Sequence, residues 1–272
     1  MREEIIIIGR ASPEWRDKYG QMTVCTVGIT NDLQWRRLYN FNISDLKYVH
    51  NWSIIEVDLE REGVKDPRPE THRILSNKPN YLKVKGKIDE SEERREYIEK
   101  LVRPSVKVMQ QNKETLGIVK PINLTYKIRS IDLEEYKRKK KPKPMSLQRW
   151  FDLEEFQKEG RLRRYAERDY EIRFKFRCGN SCETQNPHNM IVLDLELFML
   201  YKHVAKKYDD SKTILSKMKE KIEKEHSTKD VYLGLGTHLY YPFKSYMIGS
   251  VMRFKKKKNE SKGKKLSNFF NL

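Results

Sequence analysis

Residues 22–39, MTVCTVGITNDLQWRRLY, decide the fold. Met22–Ile29 is rich in β-branched side chains, Asn31-Asp32 supplies turn chemistry, and Gln34–Tyr39 returns as a second extended run, so the segment reads as a β-hairpin. Strand character continues on both sides of it. Residues 5–8 (IIII) read as a buried strand, residues 52–60 (WSIIEVDLE) as a fourth strand and residues 81–88 (YLKVKGKI) as one more. Between the last two, Asp66-Pro67-Arg68-Pro69 breaks the ladder, because proline has no N–H to donate.

Beyond residue 88 the pattern becomes mixed. Ser91, Glu92 and Glu93 open a helix over 89–103, with acids at its positive end, and Pro104 stops or restarts it. Residues 116–128 (LGIVKPINLTYKI) return to strand, with Pro121 placing them at an edge or a bulge. Asp152 caps a short helix. Residues 170–177 (YEIRFKFR) alternate as a strand, and residues 190–207 begin extended and turn helical. Residues 211–226 form an amphipathic helix with Ser211 as its cap and Ile214, Leu215, Met218 and Ile222 on one stripe. Residues 231–235 and 245–254 are closing strands around a Gly234–Pro242 loop.

Composition bounds the class. Of 272 residues, 37% are hydrophobic and 11% aromatic, enough for a packed core and too many for a disordered chain. Three cysteines cannot staple a disulfide scaffold, no stretch is apolar enough to span a bilayer, and MREEIIIIGR is not a secretion signal. An intracellular, reduced, cytoplasmic and nucleoid-associated setting without membrane contact is expected. The net charge of +18 is concentrated: residues 137–144 carry +6 and residues 253–272 carry +7, leaving +5 elsewhere. Basic tracts of this kind hold polyanions by counterion release, which nominates Lys139, Lys140, Lys141, Lys255, Lys256, Lys257 and Lys258 as nucleic-acid contacts. The Lys- and Glu-rich composition also fits a thermophile.

The strands add to that expectation. Trp15, Arg16, Trp35, Arg36, Arg37 and Tyr39 interleave rings with cations, as base-stacking surfaces do. Alternation alone equally allows Trp35 and Tyr39 to be core residues with the arginines outside. The segments Cys25–Ile29 and Trp35–Tyr39 resemble the opening of prokaryotic proteins described as having dual OB domains. That resemblance implies a β-barrel start and nucleic-acid binding. The chain therefore reads as α+β, with an OB-like β-rich domain at 1–136, a basic linker at 137–150, an α+β domain at 151–254 and a basic flexible tail at 255–272.

The last residues carry the most specific pattern. Gly263-Lys264-Lys265-Leu266-Ser267-Asn268-Phe269-Phe270 places Leu266, Phe269 and Phe270 at i, i+3 and i+4, on one face of a helical turn. This resembles the PIP box, the peptide by which replication and repair proteins bind the sliding clamp PCNA. Gly263 stands where glutamine is usual, a departure met in archaeal examples. Ser146–Phe151 (SLQRWF) repeats the Leu-x-x-aromatic-aromatic spacing, and reads first as a helix start with its aromatics in the core.

Two site chemistries compete beside binding. Cys178-x3-Cys182-x5-His188 offers two thiolates and an imidazole to a structural Zn²⁺, with His203 or His238 as the fourth ligand. Asp194-x-Glu196, with Asp66-x3-Glu70 and Lys83 or Lys85, could form a carboxylate–lysine nuclease centre holding Mg²⁺ or Mn²⁺. Acids are also expected at 194–196 as a helix start. No Walker A loop, Gly-x-Gly-x-x-Gly or Gly-x-Ser-x-Gly is present. The expectation is an archaeal, thermophilic DNA-binding accessory or repair protein recruited to PCNA, acting on single-stranded or branched DNA. A clamp-recruited nuclease and an RNA-binding protein without clamp interaction are its rivals.

Overall fold

Residues 1–16, 21–61, 66–132, 170–179 and 186–257 are described by a computed structural model. The N-terminal strands are β1 (Arg2–Arg10), β2 (Glu14–Arg16), β3 (Gln21–Ile29), β4 (Trp35–Asn42), β5 (Ser53–Arg61), β6 (Thr71–Ile74) and β7 (Leu82–Lys87). β1 pairs antiparallel with β3 on one side (Ile6↔Ile29) and with β5 on the other (Ile5↔Ile55). The expected hairpin joins β3 to β4, with Gly28 opposite Arg36. β4 then runs parallel to β6 (Leu38↔His72), and β6 pairs antiparallel with β5 (Glu60↔Arg73). The order β1-β3-β4-β6-β5-β1 closes a five-stranded barrel with one parallel seam, the OB arrangement. β2 extends β3, and β7 adds to β5.

The four-isoleucine run explains how the barrel is joined to the rest. Ile5 and Ile7 point inward, into a core with Leu38, Phe41, Ile55, Val57 and Ile74. Ile6 and Ile8 point outward, into a second apolar layer with Ile29, Ile98, Ile118, Tyr232, Met252 and Phe254. A strand buried on both faces loses its polar alternation.

The second layer is built from later elements: α1 (Ser91–Leu101), α2 (Val106–Gln111), β8 (Leu116–Val119), β9 (Pro121–Ser130), β10 (Tyr170–Cys178), β11 (His188–Ile191), α3 (Leu195–Ala205), α4 (Ser211–Thr228), β12 (Lys229–His238) and β13 (Tyr241–Lys255). They make two three-stranded sheets, β13-β12-β8 and β11-β10-β9. The first is a middle layer. Its Tyr232, Met252 and Phe254 meet the barrel, while Val231, Leu233, Ile248 and Val251 meet Phe174, Phe176, Leu197, Met218 and Ile222 in the main core. Pro121 lies where the chain leaves the middle sheet and opens β9, opposite Cys178. β8 and β9 thus pair with β12 and β10, although sequence reading groups residues 102–136 with the barrel.

Local differences from the sequence reading have simple causes. The cap of α4 is Asp210, whose carboxylate accepts from the Thr213 N–H at 2.7 Å, and Ser211 is the first helical residue. The expected 234–242 loop is mostly strand: β12 continues to His238 and pairs across a tight turn with Tyr241. β2, β6 and α2 escape sequence reading because each is short; α2 is fixed by Ser105, whose hydroxyl accepts from the Val108 N–H at 3.2 Å.

Gly9 sets how closely the barrel and middle sheet approach. A Cβ built there would stand 2.6 Å from the Ser250 Cβ, whereas one at Gly86 on β7 would meet nothing within 4 Å. Gly9→Val is expected to lower unfolding stability by about 1–3 kcal/mol through overpacking, measured by urea denaturation. Gly86→Ala should leave the midpoint unchanged or slightly raised. Equal midpoints for the two variants would show that this contact does not set the layer spacing.

Candidate nucleic-acid interface

A cleft of about 610 Å³ opens where the end of β1, the loop before β5, the start of α1, α3, α4 and the end of β13 converge. Arg10, Lys87, Arg94, Lys221, Lys229 and Arg253 line it, against two acids, Glu196 and Glu225, so the walls carry a net +4. No two of these cations are close enough in sequence to form a basic run. The fold brings them together.

Several of the cations are held rigidly. Arg10 donates from Nε to Asn51 Oδ1 at 3.0 Å and from Nη1 to the Val49 carbonyl at 2.8 Å. Burial pulls its guanidinium below the ordinary value, against the pull of Glu196 and Asp194. Arg94 donates to the Ile88 carbonyl at 2.7 Å and lies 5.7 Å over the Trp52 ring. Trp52 has φ of 73°, a left-handed backbone that bulky residues avoid. Its ring is fixed edge-on to Phe254 at 6.5 Å. Arg253 bridges Glu225 at 2.7 Å and Glu196 at 3.0 Å. Lys221 and Lys229 have no acidic partner among the described residues.

The first residues of the expected C-terminal basic tract continue from this wall. Lys255 is exposed at the end of β13, and its carbonyl accepts from Arg95. Lys256 donates to the Ser227 carbonyl at 2.8 Å, and Lys257 pairs with Glu99 at 3.1 Å. Lys258, Lys139, Lys140, Lys141, Cys182, Leu266, Phe269 and Phe270 lie outside the described residues, as do Asp152 and the 146–151 segment.

The strand cations occupy different positions from those expected of a stacking face. Trp35, Arg37 and Tyr39 share the outer side of the barrel, with Leu38 inside, but the middle sheet covers that side. Arg37 is buried and donates to Glu70 at 3.1 Å and to the Thr115 carbonyl at 3.1 Å. Arg36 holds Glu3 at 2.6 Å, and Trp35 packs against the outward isoleucine layer.

The carboxylates considered for catalysis have structural partners. Asp194 is buried; it caps α3 by accepting from the Leu197 N–H at 2.9 Å and accepts from the Val251 N–H at 2.9 Å. Glu196 accepts from Asn51 at 3.0 Å besides Arg253. Asp66 is clamped by Arg68 at 2.6 Å, and Glu70 by Arg37 and Thr115. Lys83 and Lys85 lie on β7. Cys178 packs in the main core, and the His188 ring tilts against Phe176 at 5.3 Å. His203 lies on α3, and the His238 ring tilts against Tyr240 at the β12–β13 turn. Among the described residues no three His, Cys, Asp or Glu side chains form a metal-binding group. No helix among them is long and apolar enough to cross a membrane.

Residues 1–100 match the family model described as Domain of unknown function (DUF8758), and residues 102–270 match that described as Domain of unknown function (DUF8757). No curated protein matches the chain. Among solved structures, one described as "Crystal structure of Ifi202 HINa domain in complex with 20bp dsDNA" is similar at 8% identity and a TM-score of 0.32, covering 94% of this chain and 97% of that one. Another, described as "Structural mimicry for functional antagonism", is similar at 8% identity and a TM-score of 0.29, covering 71% and 74%. Likenesses of this order carry no function across, and the barrel assignment rests on the strand order itself.

Two buried groups beside the cleft make stability depend on pH with opposite signs. Burial, then Arg253 and Lys229, push His226 down to about 4 from 6.5. It is neutral in the fold, so its contribution is lost as pH falls from about 6.5 to about 4. Burial, then Glu196, push Asp194 up to about 6 from 3.8. Its folded form takes up a proton first, so its contribution grows as pH falls from about 6 to about 4. His226→Gln should flatten the acid loss of stability, and Asp194→Asn should steepen it, in urea midpoints measured across this range.

Proposed function

The chain belongs to the DUF8757 family, and we propose that it binds nucleic acid, seating backbone phosphates in the basic cleft. The observation that carries this reading is the +4 cleft, whose Lys221 and Lys229 lack an acidic partner among the described residues, continuous with Lys255–Lys257. Phosphate binding there releases counterions, and the fixed guanidiniums of Arg10 and Arg94 need little reordering to accept it. Single-stranded or branched DNA is the preferred target. The carboxylates considered for metal-dependent cleavage are engaged by guanidiniums and backbone N–H groups, which supports binding over cutting.

The tail adds the finer part of the proposal. Leu266, Phe269 and Phe270 form the apolar face of a clamp-binding turn, and this accessory protein is recruited to PCNA through it. The lysines before the turn then lie beside DNA threaded through the clamp.

Lys221→Ala combined with Lys229→Ala is expected to weaken binding to labelled single-stranded and flap DNA in fluorescence anisotropy. The slope of log affinity against log salt should shrink by roughly 0.7–0.9 for each phosphate that is no longer neutralised. An unchanged affinity and slope would remove the cleft from the binding surface. In NMR titration, bound DNA should raise the His226 titration point, since phosphate offsets the charges of Arg253 and Lys229. A peptide of residues 259–272 should bind PCNA in calorimetry and fail to bind once Phe269 and Phe270 are both alanine. Failure of the unaltered peptide would end the clamp reading without touching the cleft.

A further inference from the structure

A second cavity, of about 460 Å³, lies between the covered outer face of the barrel and the β12–β13 hairpin. Its origin is in the sequence. Gly9 and Ser250 hold the two layers in contact on one side. Beside that contact, β13 presents Gly249, where an added Cβ would meet nothing within 4 Å, while a Cβ at Gly234 or Gly236 of β12 would crowd Ser250 at 3.2 Å or Arg37 at 3.3 Å. At Gly249 the middle sheet has no side chain to fill the space between the layers.

The lining specifies the class of occupant. Val27, Trp35, Leu235 and Met247 give apolar walls. The cations of the lining are buried and neutralised: Arg68 is held by Asp66 at 2.6 Å and by the Thr237 carbonyl at 2.7 Å, and Arg37 by Glu70 at 3.1 Å. An anion therefore gains little. Two hydroxyls supply a polar edge. Thr237 is 1% exposed, and its Oγ1 has no hydrogen-bond partner among the described residues. Tyr39 accepts from Arg68, and burial pushes its hydroxyl up, so it keeps a proton to donate. At the mouth, the exposed ring of Tyr240 tilts against His238 at 5.3 Å, with Tyr241 next to it. A pocket with flat apolar walls, no net charge and a donor–acceptor edge suits an uncharged heterocycle.

We propose that this cavity binds a nucleobase, either on a free nucleoside or as an unpaired base of a strand. The proposal stands apart from the basic cleft, because a nucleoside can fill the cavity even if the cleft holds no phosphate.

The test uses the full chain with adenosine, guanosine, cytidine and uridine in calorimetry, and with naphthalene as a flat ring lacking a polar edge. At least one nucleoside should bind saturably. Gly249→Leu fills the cavity and should abolish that binding while leaving the thermal midpoint unchanged or higher. Thr237→Val should weaken nucleoside binding by about tenfold, the worth of one buried hydrogen bond, and leave naphthalene unaffected. Competition by an oligonucleotide with one unpaired base, retained in the Lys221→Ala, Lys229→Ala protein, assigns the base to a strand. Nucleoside binding without such competition assigns it to the free molecule. Absence of saturable binding by every nucleoside, or undiminished binding to both Gly249→Leu and Thr237→Val, overturns the proposal.

Discussion

One buried carboxylate joins three parts of the molecule. Asp194 spends one oxygen on the first turn of α3 and the other on the backbone of β13 at Val251. Its own backbone bridges Ala11, just past β1, and the neighbouring Leu193 carbonyl accepts from the Ser12 N–H. Barrel, middle sheet and helical layer therefore meet at a single point. The two cavities lie on either side of it: Ala11, Leu193 and Ser250 line one, and Arg10, Glu196 and Val251 line the other. Holding an acid with a raised proton affinity at such a joint is costly, and two backbone donors offset much of that cost.

The two sides of this joint use positive charge differently. On the barrel side, guanidiniums are buried and matched: Arg68 with Asp66, Arg37 with Glu70, and Arg95 with Asp230 at 3.0 Å. Pairs like these specify how layers register, and losing one partner strands the other charge. On the helical side, cations outnumber acids around an open cleft. A chain with 57 basic and 39 acidic residues thus divides its arginines between internal fasteners and an open cleft.

What could be read in the sequence follows from the range of each signal. The hairpin of β3 and β4 and the isoleucines of β1 are local patterns legible as strands, and the barrel enters through the resemblance of Cys25–Ile29 and Trp35–Tyr39 to dual OB-domain proteins. Alternation leaves the side of Trp35 and Arg37 open, and the cover over it leaves no local signal either, because Tyr232 and Met252 lie far along the chain. Gly234 and Gly236 read as a loop, since glycine signals turns and close packing with the same letter. The cleft left no local trace: its cations come from separate elements, and only the overall charge hinted at it. Asp194 and Glu196 admit a catalytic reading, and the competing one, acids at a helix start, describes Asp194 more closely.

The interleaving of the layers also has a consequence for synthesis. The hydroxyl of Ser250 meets the carbonyl of Ile8 across 242 residues of chain. At ribosomal speeds of roughly 5–20 residues per second, the outward isoleucines wait about 10–50 s for the sheet that covers them. Once β6 closes the barrel, the nascent chain carries it with a greasy flank for the rest of that interval. A chaperone that shields this flank until β13 emerges would govern how much protein reaches its mature form.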